Sequence, residues 1–416
     1  MSHDHPAPQT DTSVWRQIDF GELEQAVNRL VRHALDLPAS DLFFTFGEHD
    51  VTVSARHLGI PRRLTSITHQ DGRRVVEHLK VMAGMDPADQ LRPASGRFFL
   101  EVEDGAKIDL RVNSCPTLYG EDVALRITRR DTKLLRLDRL GLHAEDLKDL
   151  QVLLGRPGGL ILVTGPAGSG KTTTLYACLQ RLNDGTRKIN TIEDPIEHAL
   201  QGVHQSPVNE AIRLGFPELL QGVLRQAPDV IMIGEIRDPA TAETAVRAAN
   251  SGLLVLATMP APIAAGAVDS LIALGVLPHF LSTSLLGILT QRLVRTLCTR
   301  CRTAYDLSEA PHTFDDVKPW LPPGQGSKLY FAPGCKACDG QGYTGRTGVF
   351  EVLSVSKEIR RLIAEGRTAD EIHDQAVADG MIDMRCATLL KVADGITSTE
   401  EVVRVIPAEY LAPGDY

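Results

Sequence analysis

The residues best placed to do chemistry lie in LILVTGPAGSGKTT, Leu160–Thr173, which fits G-x-x-x-x-G-K-[ST] at Gly165, Gly170, Lys171 and Thr172. Glycines in a loop through Gly165, Pro166, Ala167, Gly168, Ser169 and Gly170 let successive amides converge on one anion. A helix over Thr173–Leu182 adds the dipole of its N-terminus. Lys171 then sets a cation between β and γ phosphates, and the Thr172 hydroxyl ligates Mg²⁺. A chance glycine-rich turn is the rival, but an apolar strand runs in and a helix runs out in register. The pattern predicts a nucleoside triphosphate site, with ATP and Mg²⁺ as its ligands.

Hydrolysis needs acids as well as phosphate binding. Two acidic clusters follow apolar runs, where a doubly wound sheet places its ligands. One is Thr191-Ile192-Glu193-Asp194-Pro195-Ile196-Glu197; the other is VIMIGEIRD, Val230–Asp238, with Glu235 directly after the run. Glu235 is assigned to the Mg²⁺ and water shell, its rival being an ordinary surface acid. For Glu193 and Asp194 the rival is a helix-capping turn.

Cys298-x-x-Cys301 and Cys335-x-x-Cys338, with 33 residues between the pairs, offer four thiolates for a closed, structural Zn²⁺ site. Redox chemistry is the rival but needs only one pair. Cys115, Cys178 and Cys386 are lone, a pattern suited to a reducing compartment. Arg292, Arg295, Arg300 and Arg302 surround the first pair; an acidic partner, lipid headgroups or solvent would each suit them.

These residues must be held by elements the pattern also predicts. Apolar strands at Leu160–Thr164, Ile189–Ile192, Val230–Ile233 and Leu253–Ala257 alternate with helical segments, as in a parallel sheet covered on both faces. Before them, helices at Phe20–Leu35 and Arg73–Gly84 and short strands at Leu42–Phe46, Val51–Ala55, Arg97–Val102, Ile108–Val112 and Ala124–Thr128 form a small α+β unit. Helices are expected around 356–365, 369–379 and 383–393. The expected division is a disordered tail at 1–14, a small domain at 15–130, a linker at 131–143, the nucleotide core at 144–295, a tetracysteine subdomain at 296–347 and a helical region at 348–416.

The chain has 416 residues, and 44 Lys plus Arg against 53 Asp plus Glu leave a net charge of −9. That balance argues against a surface that grips nucleic acid. No signal peptide is expected; His3 and His5 fall in the tail. Ala248–Val268 and Ser270–Gln291 lack charges over a membrane-spanning length, but Pro260, Pro262 and Pro278 make them buried core elements of a soluble domain.

GPAGSGKTTTLYACL, NTIEDPIEH, LRQAPDVIMIGEIRD and ILTQRLVRTLCTRC resemble the motor ATPases of type II secretion and type IV pilus assembly. So do KVMAGMD, IDLRVNSCPTLYGEDVALR and YTGRTGVFEVL, so the resemblance covers about residues 75–405 in order. It implies an α/β fold: a RecA-like P-loop NTPase domain, a smaller α+β, PAS-like N-terminal domain and a C-terminal zinc-bearing helical region. It also implies a homo-hexamer in the cytoplasm, peripheral to the membrane, working with an inner-membrane platform protein and a cytoplasmic adaptor. By position, Glu197 matches the family's water-activating glutamate within the acidic box Glu193–Glu197, and Glu235 its second-motif acid. Arg111 and Arg126 match arginines of the smaller domain that reach the phosphates; strand-edge salt bridges are the rival for both. Similar cysteines mark secretion and extension motors and are generally lacking in retraction motors.

The sequence departs from the family at four places. Its Leu-His-Thr-Asn segment is replaced by Thr258-Met259-Pro260-Ala261-Pro262, without the histidine that faces the γ phosphate. A Ser-Asp-Ile-His-Phe-Glu-Pro pattern becomes Ser40-Asp41-Leu42-Phe43-Phe44-Thr45-Phe46, and the arginine-rich turn has no counterpart in Val53–Leu64. The further domain that many assembly motors carry ahead of this one is not expected. Weak or partner-dependent ATPase activity follows. The other readings are an ATP-binding, barely hydrolysing regulatory paralogue and, less favoured, a DNA-dependent ATPase.

Overall fold

The computed structural model describes residues 22–101, 107–128, 135–310 and 312–411; the expected tail at 1–14 and the part of the expected linker at 131–134 lie outside the described residues. The chain forms two compact units. One takes the described part of Met1–Arg130 with Cys298–Arg302 and Ala332–Gly345, and the other the described part of Asp131–Leu297, Thr303–Phe331 and Arg346–Tyr416.

In the first unit, helix α1 (Leu23–Asp36) and helix α2 (His69–Met82) accompany strands β1 (Ala39–Phe46), β2 (Val51–His57), β3 (Ile60–Ile67), β4 (Ala94–Glu101), β5 (Lys107–Thr117) and β6 (Gly120–Thr128). The sheet order is β3-β2-β1-β6-β5-β4, with antiparallel neighbours throughout. Alternation along each strand sends Leu42, Phe44 and Phe46 to the helices, where they pack with Val27, Leu30, Val75 and Leu79. Helix α2 starts before the periodicity of Arg73–Gly84 suggests, because the Thr68 hydroxyl caps it by accepting from the Asp71 amide at 3.1 Å. Buried within this unit, the Lys80 ammonium donates to Glu121 Oε1 at 2.8 Å and to the Asp89 carbonyl at 2.7 Å.

The second unit opens with α3 (Ala144–Leu154), followed by β7 (Gly159–Thr164), α4 (Lys171–Leu182), β8 (Ile189–Glu193), β9 (Val203–Pro207), α5 (Phe216–Leu224), β10 (Val230–Ile233), α6 (Pro239–Asn250) and β11 (Leu254–Met259). Helices α7 (Gly266–Ala273) and α8 (Pro278–Ser284) lead into β12 (Leu285–Leu297). A small hairpin of β13 (Thr303–Asp306) and β14 (Lys328–Phe331) precedes β15 (Tyr343–Ser354). Four helices close the unit: Lys357–Glu365, Ala369–Ala378, Met384–Ala393 and Thr399–Val405. The main sheet runs β15-β12-β7-β11-β10-β8-β9, parallel from β12 to β9.

Both faces of this sheet are covered, as the apolar runs require. Leu160, Leu162, Ile231, Ile233, Val255 and Ala257 enter one core with α5 and α6. Their neighbours Ile161, Val163, Val230, Met232, Leu254 and Leu256 enter another with α3 and α4. The two charge-free stretches become parts of α6, β11, α7, α8 and β12. Among the described residues no helix is long and apolar enough to cross a membrane.

Candidate nucleotide site and thiol cluster

Strand β7 is buried throughout and delivers the chain to the glycine-rich loop at the sheet's carboxyl edge. Gly165 takes φ +132°, and a Cβ there would sit 2.3 Å from the Gln291 carbonyl oxygen, so only glycine fits beneath β12. Gly170, at φ +90°, caps α4. Lys171 opens that helix and its ammonium donates to the carbonyls of Gly165 at 2.9 Å and Pro166 at 3.1 Å. Burial lowers the Lys171 pKa, and Glu235 opposes the shift. Pro166, Ala167 and Gly168 are exposed at the loop's crown, while Ser169 is buried. Thr172 and Thr173 are half-buried on the first turn of α4.

Gln291, on β12, holds this loop from below. Its amide nitrogen donates to the Ser169 carbonyl at 2.6 Å and its carbonyl accepts from the Thr174 hydroxyl at 2.6 Å.

One cleft brings Lys171 and Thr172 together with Glu193, Glu197, Glu235 and Thr258. Glu193 closes β8 and is buried. One oxygen accepts from Thr191 at 2.5 Å and from Gln205 at 2.9 Å, and the other from the Tyr176 hydroxyl. Glu197 is exposed, and its carboxylate has no partner among the described residues. Glu235 pairs with Arg237, which also lies 3.7 Å from Asp194, so one guanidinium spans both acidic segments.

The segment that departs from the family ends a strand. The Thr258 hydroxyl donates to the Gly234 carbonyl at 2.5 Å, and Met259 is buried in the core, so neither offers the cleft a donor.

Arg111 and Arg126 belong to the first unit, on β5 and β6. Register places Arg56, Asp41, Arg126, Arg111 and Arg97 in one row across five strands. Asp41 accepts from Arg126 Nε at 3.0 Å and lies 3.3 Å from Arg56 Nε. Asp109 takes both Nε and Nη2 of Arg97, at 2.7 and 2.6 Å, and sits 3.9 Å from Arg111. Arg111 Nε and Nη2 are buried with no hydrogen-bond partner among the described residues. Like charges opposed across adjacent strands are destabilising, so Asp41 within the row and Asp109 beside it offset the repulsion among the four arginines.

The four Cys-x-x-Cys sulfurs also converge. Cys298, Cys301, Cys335 and Cys338 place all their Sγ atoms within 4.8 Å of one another, with neighbours at 3.8 to 4.0 Å. A tetrahedron of thiolates about 2.3 Å from zinc has edges of about 3.8 Å, so the donor set fits that ion. The Cys338 sulfur also accepts from the amides of Cys335 and Gly342, each at 3.2 Å. The second pair is tied to the β2–β3 hairpin, where Arg62 donates to the Asp339 carbonyl at 3.3 Å.

The profile of the family described as Type II/IV secretion system protein matches residues 16–404. The chain belongs to that family. It is 40% identical over 391 residues to type II secretion system protein E of Dickeya dadantii, covering 94% of this chain and 77% of that one. Against type II secretion system protein E of Pseudomonas aeruginosa the identity is 39%, covering 97% and 79%. The type IV pilus assembly ATPase PilB of Pseudomonas aeruginosa is 38% identical, over 94% of this chain and 68% of that one. Among solved structures, the pilus retraction motor PilT with bound ADP is 25% identical, with TM-score 0.60, covering 95% and 97%. The Legionella pneumophila ATPase DotB, 20% identical with TM-score 0.67 over 90% and 93%, shares the fold. Similarity of this extent to secretion and pilus ATPases does not favour the regulatory or DNA-dependent readings.

In this member of the secretion family, several site residues have no chemical signature in the sequence. Tyr176 sits inside an apolar stretch and Gln291 between Thr290 and Arg292 on a buried strand, and each, being buried and polar, has a specific hydrogen-bond partner. Gln205 and Arg237 show their roles only through contacts that the fold makes, Gln205 with Glu193 and the His198 turn, and Arg237 with Asp194 as well as Glu235.

Proposed function

We propose that this chain is a mechanochemical ATPase that binds and hydrolyses ATP to power pseudopilus assembly in type II secretion or pilus assembly in a type IV pilus machine. The observation that carries the reading is the cleft where Lys171 and Thr172 meet Glu193, Glu197 and Glu235. Its core is RecA-like, and the antiparallel sheet with two helices supports a PAS-like smaller unit. The loop Gly165–Thr173 binds the phosphates, and Lys171 neutralises them. Thr172 and Glu235 hold Mg²⁺, which when bound offsets phosphate charge. Glu197, exposed and uncommitted, orients the attacking water.

Arg111 and Arg126 supply the cations for developing phosphate charge, supported by their adjacency on one sheet face. Turnover is weak or partner-dependent, because Met259–Pro262 brings no donor to the cleft. The four cysteines hold a structural zinc. The protein works as a homo-hexamer at the cytoplasmic face of the inner membrane, against a platform protein and a cytoplasmic adaptor.

Phosphate release by the purified protein, alone, with DNA and with the platform's cytoplasmic domain, tests the reading. Release stimulated by the platform domain and not by DNA is expected. An assembled hexamer that binds ATP but releases no phosphate under any of the three conditions overturns it.

A further inference from the structure

Glu197 has no side-chain partner to place it, so its carboxylate goes where the backbone of its turn goes. Two side chains hold that turn. The Tyr176 hydroxyl, on the helix that follows the phosphate loop, accepts from the amides of Glu197 at 3.3 Å and His198 at 3.4 Å. Gln205 donates to the His198 carbonyl at 2.9 Å and accepts from the Leu200 amide at 2.8 Å. Both side chains hang on one anchor, since the Tyr176 hydroxyl and the Gln205 amide each donate to Glu193.

A phenol has one proton and two acceptor positions. Here the proton goes to Glu193 and the acceptor positions to two consecutive amides, which spends the hydroxyl completely. The Tyr176 ring is fully buried, edge-on to His198 with centroids 6.0 Å apart. Burial and the neighbouring Glu193 raise the Tyr176 pKa, keeping its proton on the oxygen.

We infer that Tyr176 is a positioning residue for hydrolysis: its hydroxyl couples the helix behind Lys171 to the turn that carries Glu197. Helix and turn then move as one piece, and the water-orienting carboxylate keeps its distance from the phosphates. Glu193 acts as the anchor of this strut. The inference rests on Glu197 orienting the attacking water.

Tyr176→Phe keeps the ring and removes the oxygen. In the full-length assembled enzyme, kcat should fall about ten- to a hundredfold, the scale set by small misplacements of a reacting group. KM and nucleotide affinity should stay within about threefold. Hydrogen exchange at the Glu197 and His198 amides should quicken while exchange in the phosphate loop is unchanged. An unaltered kcat, or a loss of affinity as large as the loss of kcat, overturns the inference. If Tyr176→Phe fails to assemble, Gln205→Ala reads the same network from a partly exposed strand, and an unaltered kcat there is equally fatal. Full turnover by Glu197→Gln would instead remove the premise, and is read separately from either variant.

Discussion

Gln291 reaches from the strand beside β7 to the phosphate loop and ties the Ser169 carbonyl to the Thr174 hydroxyl, each contact 2.6 Å long. The loop's shape is therefore set by a residue far from it in sequence. Replacing Gln291 by Leu leaves two buried polar groups unpaired at similar volume. We expect a loss of about 1–3 kcal/mol in denaturant unfolding, with weaker nucleotide binding in a titration.

Lys171→Ala should abolish nucleotide binding, because it removes the cation that meets the phosphates. Glu197→Gln should leave the dissociation constant nearly unchanged and stop phosphate release, with kcat reduced about a hundredfold or more. Binding and steady-state assays on the same preparations separate the two effects.

Elemental analysis should find one zinc per chain. Cys335→Ser or Cys338→Ser should lose it and lower the thermal midpoint, since metal affinity in such sites is folding free energy. The nucleotide cleft contains none of these sulfurs, so nucleotide affinity should change little.

Asp146, buried near the start of α3, has its pKa raised to about 7 by burial and by Asp149 and Glu145, with Lys391 opposing. The folded state then holds a proton that the unfolded state has released above about pH 4, so stability falls as pH rises from about 4 to 7. Between pH 5 and 8 the wild-type unfolding midpoint should decline, and Asp146→Asn should flatten that slope.

Lys80 and Glu121 form a buried ion pair at 2.8 Å. Lys80→Met strands a buried carboxylate and should cost about 3–5 kcal/mol at neutral pH. Replacing both with apolar residues of similar volume should cost far less.

Much of this was legible in the sequence. The phosphate loop, the strands at 160–164 and 230–233 and the helix at 144–154 declare themselves by motif and by period. Glu235 stands out because an acid after an apolar strand has a place in a doubly wound sheet, whereas Glu197 is singled out only by the family resemblance. Strands β3 and β15 were not legible. Pro61 and the adjacent Arg62 and Arg63 disguise β3, and glycines at 345 and 348 break the alternation of β15. The first half of strand β12 hides in a charge-free stretch whose periodicity suits helix and strand alike. Tyr176 and Gln291 escaped for another reason: a lone polar side chain shows its purpose only once its partners are in space.

The two cysteine-bearing segments belong to the first compact unit although the second supplies the chain on either side of them, so the polypeptide passes between the units five times. Cutting such a chain once releases nothing whole. A fragment ending at residue 130 would lack both knuckles of its own unit, and one beginning there would carry them with nothing to rest on. Excising either part for separate study demands a redesigned connection, and inheritance of one part without the other would meet the same obstacle.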